Sequence, residues 1–292
     1  MSRRLELSSI DPRRTRMDRL ARYGLATLAF LSVAILVALI GGLVAQGASH
    51  VNWNFLTSYP SRFPDRAGIK PAIVGTILLG LVSTAVALPI GISAAIYLQE
   101  FAAHNRITTL LRASIGNLAG VPSVVFGILG LALFVRALVL GKSILAAGLT
   151  LGLLSLPIII VVCEEALKTV PRSMREAAFA LGASRWQVVR HHVLPYALPG
   201  MLTGAILALS RSMGETAPLI LIGAAVYIAY LPEGLMDSFT ALPIQAYYWA
   251  QDARTAFHDL AWAAVLVLLI LVAVGNLTAI ILRDRYQRRY KW

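Results

Sequence analysis

Apolar residues run along this chain in six long blocks, roughly 23–45, 71–98, 114–139, 144–166, 199–224 and 259–282. A bilayer core about 30 Å thick needs roughly 20 apolar residues per helix, so the pattern predicts six membrane-spanning helices. The first block, Tyr23 to Val44, exceeds the ~7–15 apolar residues of a cleaved signal core and predicts a retained anchor. Pro89, Pro122 and Pro157 fall inside blocks, and Gly116 with Gly120 makes a small-residue step that Gly127 and Gly130 continue. Small residues let helices approach closely in lipid, and proline breaks are tolerated where neighbours or cavity water satisfy the freed carbonyls. Together they predict a tightly packed bundle. Aromatic residues gather in 46–70 (Trp53, Phe55, Tyr59, Phe63) and in 226–258 (Tyr227, Tyr230, Tyr247, Tyr248, Trp249), where interface belts are expected.

Composition agrees with this pattern. Of 292 residues, 58% are hydrophobic and 14% charged, against about 25% charged in soluble domains. The net charge of +12 would suit a nucleic-acid partner, but its placement points to lipid. Seven arginines precede the first block and five cations follow the last. With Arg106, Arg112, Lys168, Arg172, Arg175, Arg185 and Arg190, 19 cations fall on the side of the termini and six on the other. The bias predicts cytoplasmic termini, contact with membrane lipid and no nucleic acid. The single cysteine, Cys163, lies in an apolar run and is expected to be a small core residue.

The polar segment 171–195, PRSMREAAFALGASRWQVVRHHVLP, has an internal design. Ser173 and Glu176 have capping-box spacing. Gly182 suits the left-handed residue that ends a helix. Ser184 is placed to cap a second short helix, Arg185 to His191, stopping before Pro195. Met174, Ala177, Ala178 and Leu181 fall on one stripe. The expected form is a helix, a glycine turn and a helix lying on the cytoplasmic face, with Trp186 as a rigid anchor and Arg185 and Arg190 at its rim. No ATP site is expected: Gly141-Lys142-Ser143 ends like a phosphate loop, but Arg136 stands where its first glycine belongs. His191-His192 carries no metal reading.

Glu176-Ala177-Ala178, three residues, Gly182, and Leu194-Pro195 twelve residues after the glycine resemble the EAA loop of ABC-importer permeases, with His192 where that pattern has isoleucine. The resemblance implies the type I ABC-importer permease fold, all-α and integral to the membrane. It also implies that Glu176, Ala177, Ala178, Gly182, Ser184, Arg185 and Trp186 dock an ATP-binding subunit. The domain plan is then a basic cytoplasmic segment 1–22, an anchor helix 23–45, a five-helix core 71–282 with the EAA loop at 168–197, and a basic tail 283–292.

The fifth block holds Ser210-Arg211-Ser212-Met213-Gly214-Glu215-Thr216-Ala217-Pro218, with the two deepest charges of the chain. An arginine at mid-bilayer costs about 2.5–3.5 kcal/mol on insertion scales, so it faces the bundle interior, paired or lining a polar path. At i, i+4 spacing Arg211 and Glu215 can meet, and the guanidinium fork matches phosphate oxygens. A packing pair and a transport pair are both open on these residues. RSMGETAPL, LPIGISAAIYLQEFA (88–102) and AGVPSVVFGILGLALF (119–134) are similar to the A-type subunit of the phosphate-importing branch. That resemblance implies a substrate pathway through Arg211, Glu215 and Thr216. It implies a C-type permease as heterodimer partner, two copies of an ATP-binding subunit, and a periplasmic or lipid-anchored phosphate-binding protein. ATP and Mg would sit on the partner ATPase, with no cofactor on this chain and no catalysis by it. A sulfate or molybdate permease, an ion-coupled secondary transporter and a membrane scaffold are the alternatives.

Overall fold

The computed structural model describes residues 12–288 except 104 and 226, so much of the basic segment 1–22 and the end of the tail lie outside the described residues. Among the described residues every regular element is helical. Helix α1 (Pro12–Gly47) leads to the short α2 (Trp53–Thr57) and then α3 (Lys70–Ile96), which continues as a π-helical turn, Tyr97–Phe101. Helices α4 (Arg106–Ala119) and α5 (Ser123–Gly130) follow, the latter continuing as π-helix through Ala137. Next come α6 (Ile144–Lys168), α7 (Arg172–Ala180) and α8 (Arg185–Val188). A π-turn, Val189–Val193, joins α8 to α9 (Leu194–Met213). The chain closes with α10 (Ala217–Ile222), α11 (Leu242–Ala250) and α12 (Thr255–Arg288). Five stretches are single helices long and apolar enough to span a membrane, and α4 with α5 makes a sixth only as a pair bent by 102°.

Helix α6 is the centre of the bundle, packed on α3, α9, α5 and α4. Small residues set these approaches. A Cβ on Gly204 of α9 would strike Val162, one on Gly91 would strike Ile159, and one on Gly130 would strike Thr150. Gly127 lies against Pro218 and Leu221, which seats α10 on α5. The expected Gly116–Gly120 packing step is not formed: a Cβ on Gly116 would meet nothing, and one on Gly120 only its own helix's carbonyl. Lipid-facing α1 touches the bundle mainly along α12, where Gly47 lies on the Trp262 backbone.

Two expected spans are broken. Block 114–139 bends at Gly120-Val121-Pro122, because a residue before proline is pushed out of the α region and proline has no N–H to continue the ladder. Pro89, Pro157 and Pro199, by contrast, are carried inside unbroken helices. Block 199–224 ends its first helix at Met213, and Pro218 opens a new one in the first turn, where a missing N–H costs nothing. The aromatic segments divide. Phe55 of α2, Trp249 of α11 and Phe257 of α12 are buried together with ring centroids about 6 Å apart; Trp53, Tyr59, Phe63, Tyr227, Tyr230 and Tyr247 are exposed, as belt residues would be.

Candidate functional site

The two breaks face each other. A cavity of about 240 Å³ lies between the bend of α4/α5 and the end of α9, lined by Gly120, Ser123, Ser155, Arg211, Ser212 and Glu215 among others. At roughly 10–15 Å³ for each enclosed water, that volume has room for a small oxyanion and some water. Its depth follows from Met213, whose terminal methyl occupies the place of a Gly80 Cβ. Gly80 stands ten residues into α3 from Lys70, about 15 Å along the axis.

Arg211 and Glu215 approach only to 3.8 Å, Nε to Oε1, with 68% of the arginine side chain open. Most of the arginine side chain is therefore open beside the cavity. The amides at the start of α5, whose N-cap Pro122 supplies no side-chain bond, add partial positive charge beside it. Glu215 and the closing carbonyls of α4 and α9 add the opposite sign. Such a mixed lining can hold an anion weakly and let it go. Arg211 and Glu215 are brought together as expected, while Thr216 is not part of this cavity. It faces an apolar one of about 490 Å³, with Tyr247, His258 and Trp262.

On the face of the 172–193 segment, Gly182 has φ +81° and turns the chain after α7. Ser184 caps α8 through a reciprocal pair with Gln187: Gln187 N–H donates to Ser184 Oγ at 3.4 Å, and Ser184 N–H donates to Gln187 Oε1 at 2.8 Å. The capping box expected at Ser173 and Glu176 is absent, since α7 starts two residues earlier, behind Pro171, and Ser173 lies within its first turn. The second helix does not stop before Pro195 either. It runs on through the π-turn into α9, because Pro195 falls in the first turn of that helix, where proline is accepted. The predicted stripe is split: Ala178 is buried and Met174 leans on the core, but Ala177 is exposed and Leu181 is 90% exposed. With Phe179 and Trp186 half exposed, this leaves an apolar outer surface around exposed Glu176. Trp186 lies 6.4 Å from Phe101, and the Arg185 guanidinium sits 5.5 Å over the same ring.

Two long-range ion pairs lie beneath this segment. Arg175 of α7 donates to Glu100 Oε1 at 2.8 Å and to the carbonyls of Val170 and Leu167. Arg112 of α4 donates to the Leu98 carbonyl and approaches Glu164 Oε1 of α6 at 3.4 Å. At sequence level Arg112 and Arg175 register only as two more cations on the basic side. The legible signal is a carboxylate, Glu100 or Glu164, at the end of an apolar block.

Comparison with known proteins now adds a family. Residues 87–292 match the model of the binding-protein-dependent transport system inner membrane component. A Bacillus subtilis (strain 168) protein named probable ABC transporter permease protein YqgI is 33% identical over 203 residues, 70% of this chain and 69% of that one. The phosphate transport system permease protein PstA of Mycobacterium leprae (strain TN) is 32% identical over 97% of this chain and 94% of its own length. The permease architecture recurs in a bacterial alginate ABC transporter, crystallised with an alginate pentasaccharide-bound periplasmic protein. There one chain superposes with a TM-score of 0.67 at 16% identity, over 94% of this chain and 97% of that one. With both helix breaks and the 172–193 turn inside the matched region, the chain belongs to the family of binding-protein-dependent transport system inner membrane components.

Proposed function

We propose that this chain is the permease subunit of an ATP-driven importer that moves inorganic phosphate across a bacterial cytoplasmic membrane. The observation that carries the reading is its likeness, over 97% of its length, to a phosphate transport permease. The cation bias supports a cytoplasmic position for both termini and the 172–193 segment in this reading.

In this reading the outer surface of α7 and α8, with Glu176, Ala177, Leu181 and Trp186, docks an ATP-binding subunit that carries ATP and Mg. A second, C-type permease completes the channel, and an external phosphate-binding protein delivers the ion. Arg211 receives the anion in the cavity between the helix breaks. The fork offers parallel donors to two phosphate oxygens, and Glu215 can accept from a protonated phosphate oxygen or release Arg211 from it. Selection by an external protein leaves the cavity free to bind weakly.

Uptake of labelled phosphate and of sulfate in cells lacking the chain tests the proposal. Phosphate uptake should fall and recover on re-expression, with sulfate uptake unchanged. Loss of sulfate uptake alone would assign a different oxyanion, and loss of neither would remove the transport reading.

A further inference from the structure

Helix α4 stands out among the elements that line the anion cavity. None of its residues is buried, and Ile115 is only partly covered by the core. Its last turn, Leu118 and Ala119, nevertheless forms a wall of the cavity. At its basic-face end Arg112 ties this helix to the bundle. Its Nη2 donates to the Leu98 carbonyl and, at 3.5 Å, to Gln99 Oε1, while its Nε faces Glu164 Oε1 at 3.4 Å. Arg112 Nε and Glu164 Oε1 are both buried, and neither has a hydrogen-bond partner among the described residues.

The same short stretch, Leu98 to Glu100, is gripped from the other side. Arg175 of α7 holds buried Glu100 at 2.8 Å and two carbonyls at the end of α6. The stretch itself is a π-helical turn, a local irregularity that often marks functional positions in helices. From the docking loop to the cavity wall the connection is therefore continuous: Arg175, Glu100, the π-turn carbonyl of Leu98, Arg112, then α4 to Leu118.

We propose that Arg175–Glu100 and Arg112–Glu164 are positioning pairs that carry displacement of the docking loop to α4, so that the cavity wall moves when the ATP-binding subunits close. The inference rests on the importer reading above. A rigid arginine fork suits the task because it holds several acceptors at once in a fixed plane. A greasy contact in its place would let the π-turn and α4 slide past each other. The loosely packed α4 is the element that can move without opening the core.

The experiment uses the whole assembled transporter in lipid and reads phosphate moved per ATP hydrolysed. Misfolded complexes drop out of both quantities, so a merely structural role leaves the ratio unchanged. Arg112→Met/Glu164→Leu removes both charges together and strands neither. We expect this variant to assemble and hydrolyse ATP, with transport per ATP reduced at least tenfold. Glu100→Gln keeps the shape and an acceptor for Arg175, and should lower the same ratio by a smaller factor. A wild-type ratio in the double variant overturns the proposal. If that variant does not assemble, a wild-type ratio in Glu100→Gln overturns it instead. ATP-driven uptake by the unmodified complex is the separate control: its absence would dispose of the importer reading and, with it, of this proposal, whereas a wild-type ratio in the variants overturns the proposal alone.

Discussion

Two arginine–glutamate contacts in this chain are built in opposite ways. Arg175 and Glu100 are far apart in sequence, close to 2.8 Å in a largely buried setting, and Arg175 also donates to two carbonyls. Arg211 and Glu215 are one helical turn apart, reach only 3.8 Å, and leave most of the guanidinium open to a cavity. The first pair spends its hydrogen-bonding capacity on the protein. The second keeps its capacity in reserve. A charge that closes every valence on its own chain fixes geometry, whereas one that leaves donors free beside a cavity is available to a passing anion.

The comparison is broken most severely at Arg175. Arg175→Met leaves Glu100 buried without its partner, and removing one member of a buried pair costs about 3–5 kcal/mol. That is a large share of an ordinary folding stability. The expected outcome is loss of folded, membrane-extracted chain, read as the monodisperse fraction after detergent extraction. Arg211→Gln should do the reverse. Its side chain is already mostly exposed, so extraction and assembly should stay near wild type while phosphate uptake per assembled complex falls at least tenfold. Wild-type uptake per complex would make Arg211 a packing residue. Glu215→Gln separates the remaining options: a change in rate with normal assembly assigns it to anion release, while reduced assembly assigns it to neutralising Arg211.

These contrasts also separate what the sequence carries from what only the folded chain supplies. Block length and cation placement reveal a multi-pass protein because bilayer thickness and charge exclusion act on composition alone. The EAA triplet with Gly182 places the turn between α7 and α8 because a left-handed residue leaves a fixed mark. The breaks at Gly120-Pro122 and Gly214-Pro218 were not legible, since apolar blocks run through both and Pro89, Pro157 and Pro199 cause no break. Neither were the partners of Arg112 and Arg175, which come from helices 52 and 75 positions away. The separation of Thr216 from Arg211 and Glu215 has the same cause. Adjacent in sequence to Glu215, it turns to the other side once the helix has broken.

A milder break is available at the turn. Gly182 has φ +81° with open space around its Cα, so Gly182→Val meets backbone strain and no clash. A left-handed conformation costs an L-residue roughly 1–2 kcal/mol, and more with β-branching. The strain falls on a loop that faces outward, so the chain should still insert while recovery of the ATP-binding subunit by co-purification drops several-fold. Unchanged co-purification together with unchanged uptake would show that the turn is not needed for docking.

The smallest effect is expected on the opposite face, where a charge pair lies at the surface. Asp252 accepts two bonds from the Arg254 fork, each at 2.9 Å, and Arg254 reaches on to the Arg62 carbonyl at 2.7 Å, tying together the two outer segments. The fork's hydrogen bonds hold the Asp252 carboxyl at about 2, below its usual 3.8. A carboxylate depressed in this way stabilises the fold above its unfolded pKa, and the contribution disappears as pH falls through its folded one. It is therefore constant from pH 5 to 8 and is lost only between about 4 and 2. Water screens the pair, so Asp252→Asn should leave thermal unfolding at pH 7 indistinguishable from wild type, and uptake unchanged. Any difference that is detected should shrink on acidification through that window, because the wild-type carboxylate becomes protonated while the amide does not change. A difference that instead grew on acidification would mean that Asp252 opposes folding, and the outer clamp would then have to be assigned to Arg254 and Arg62 alone.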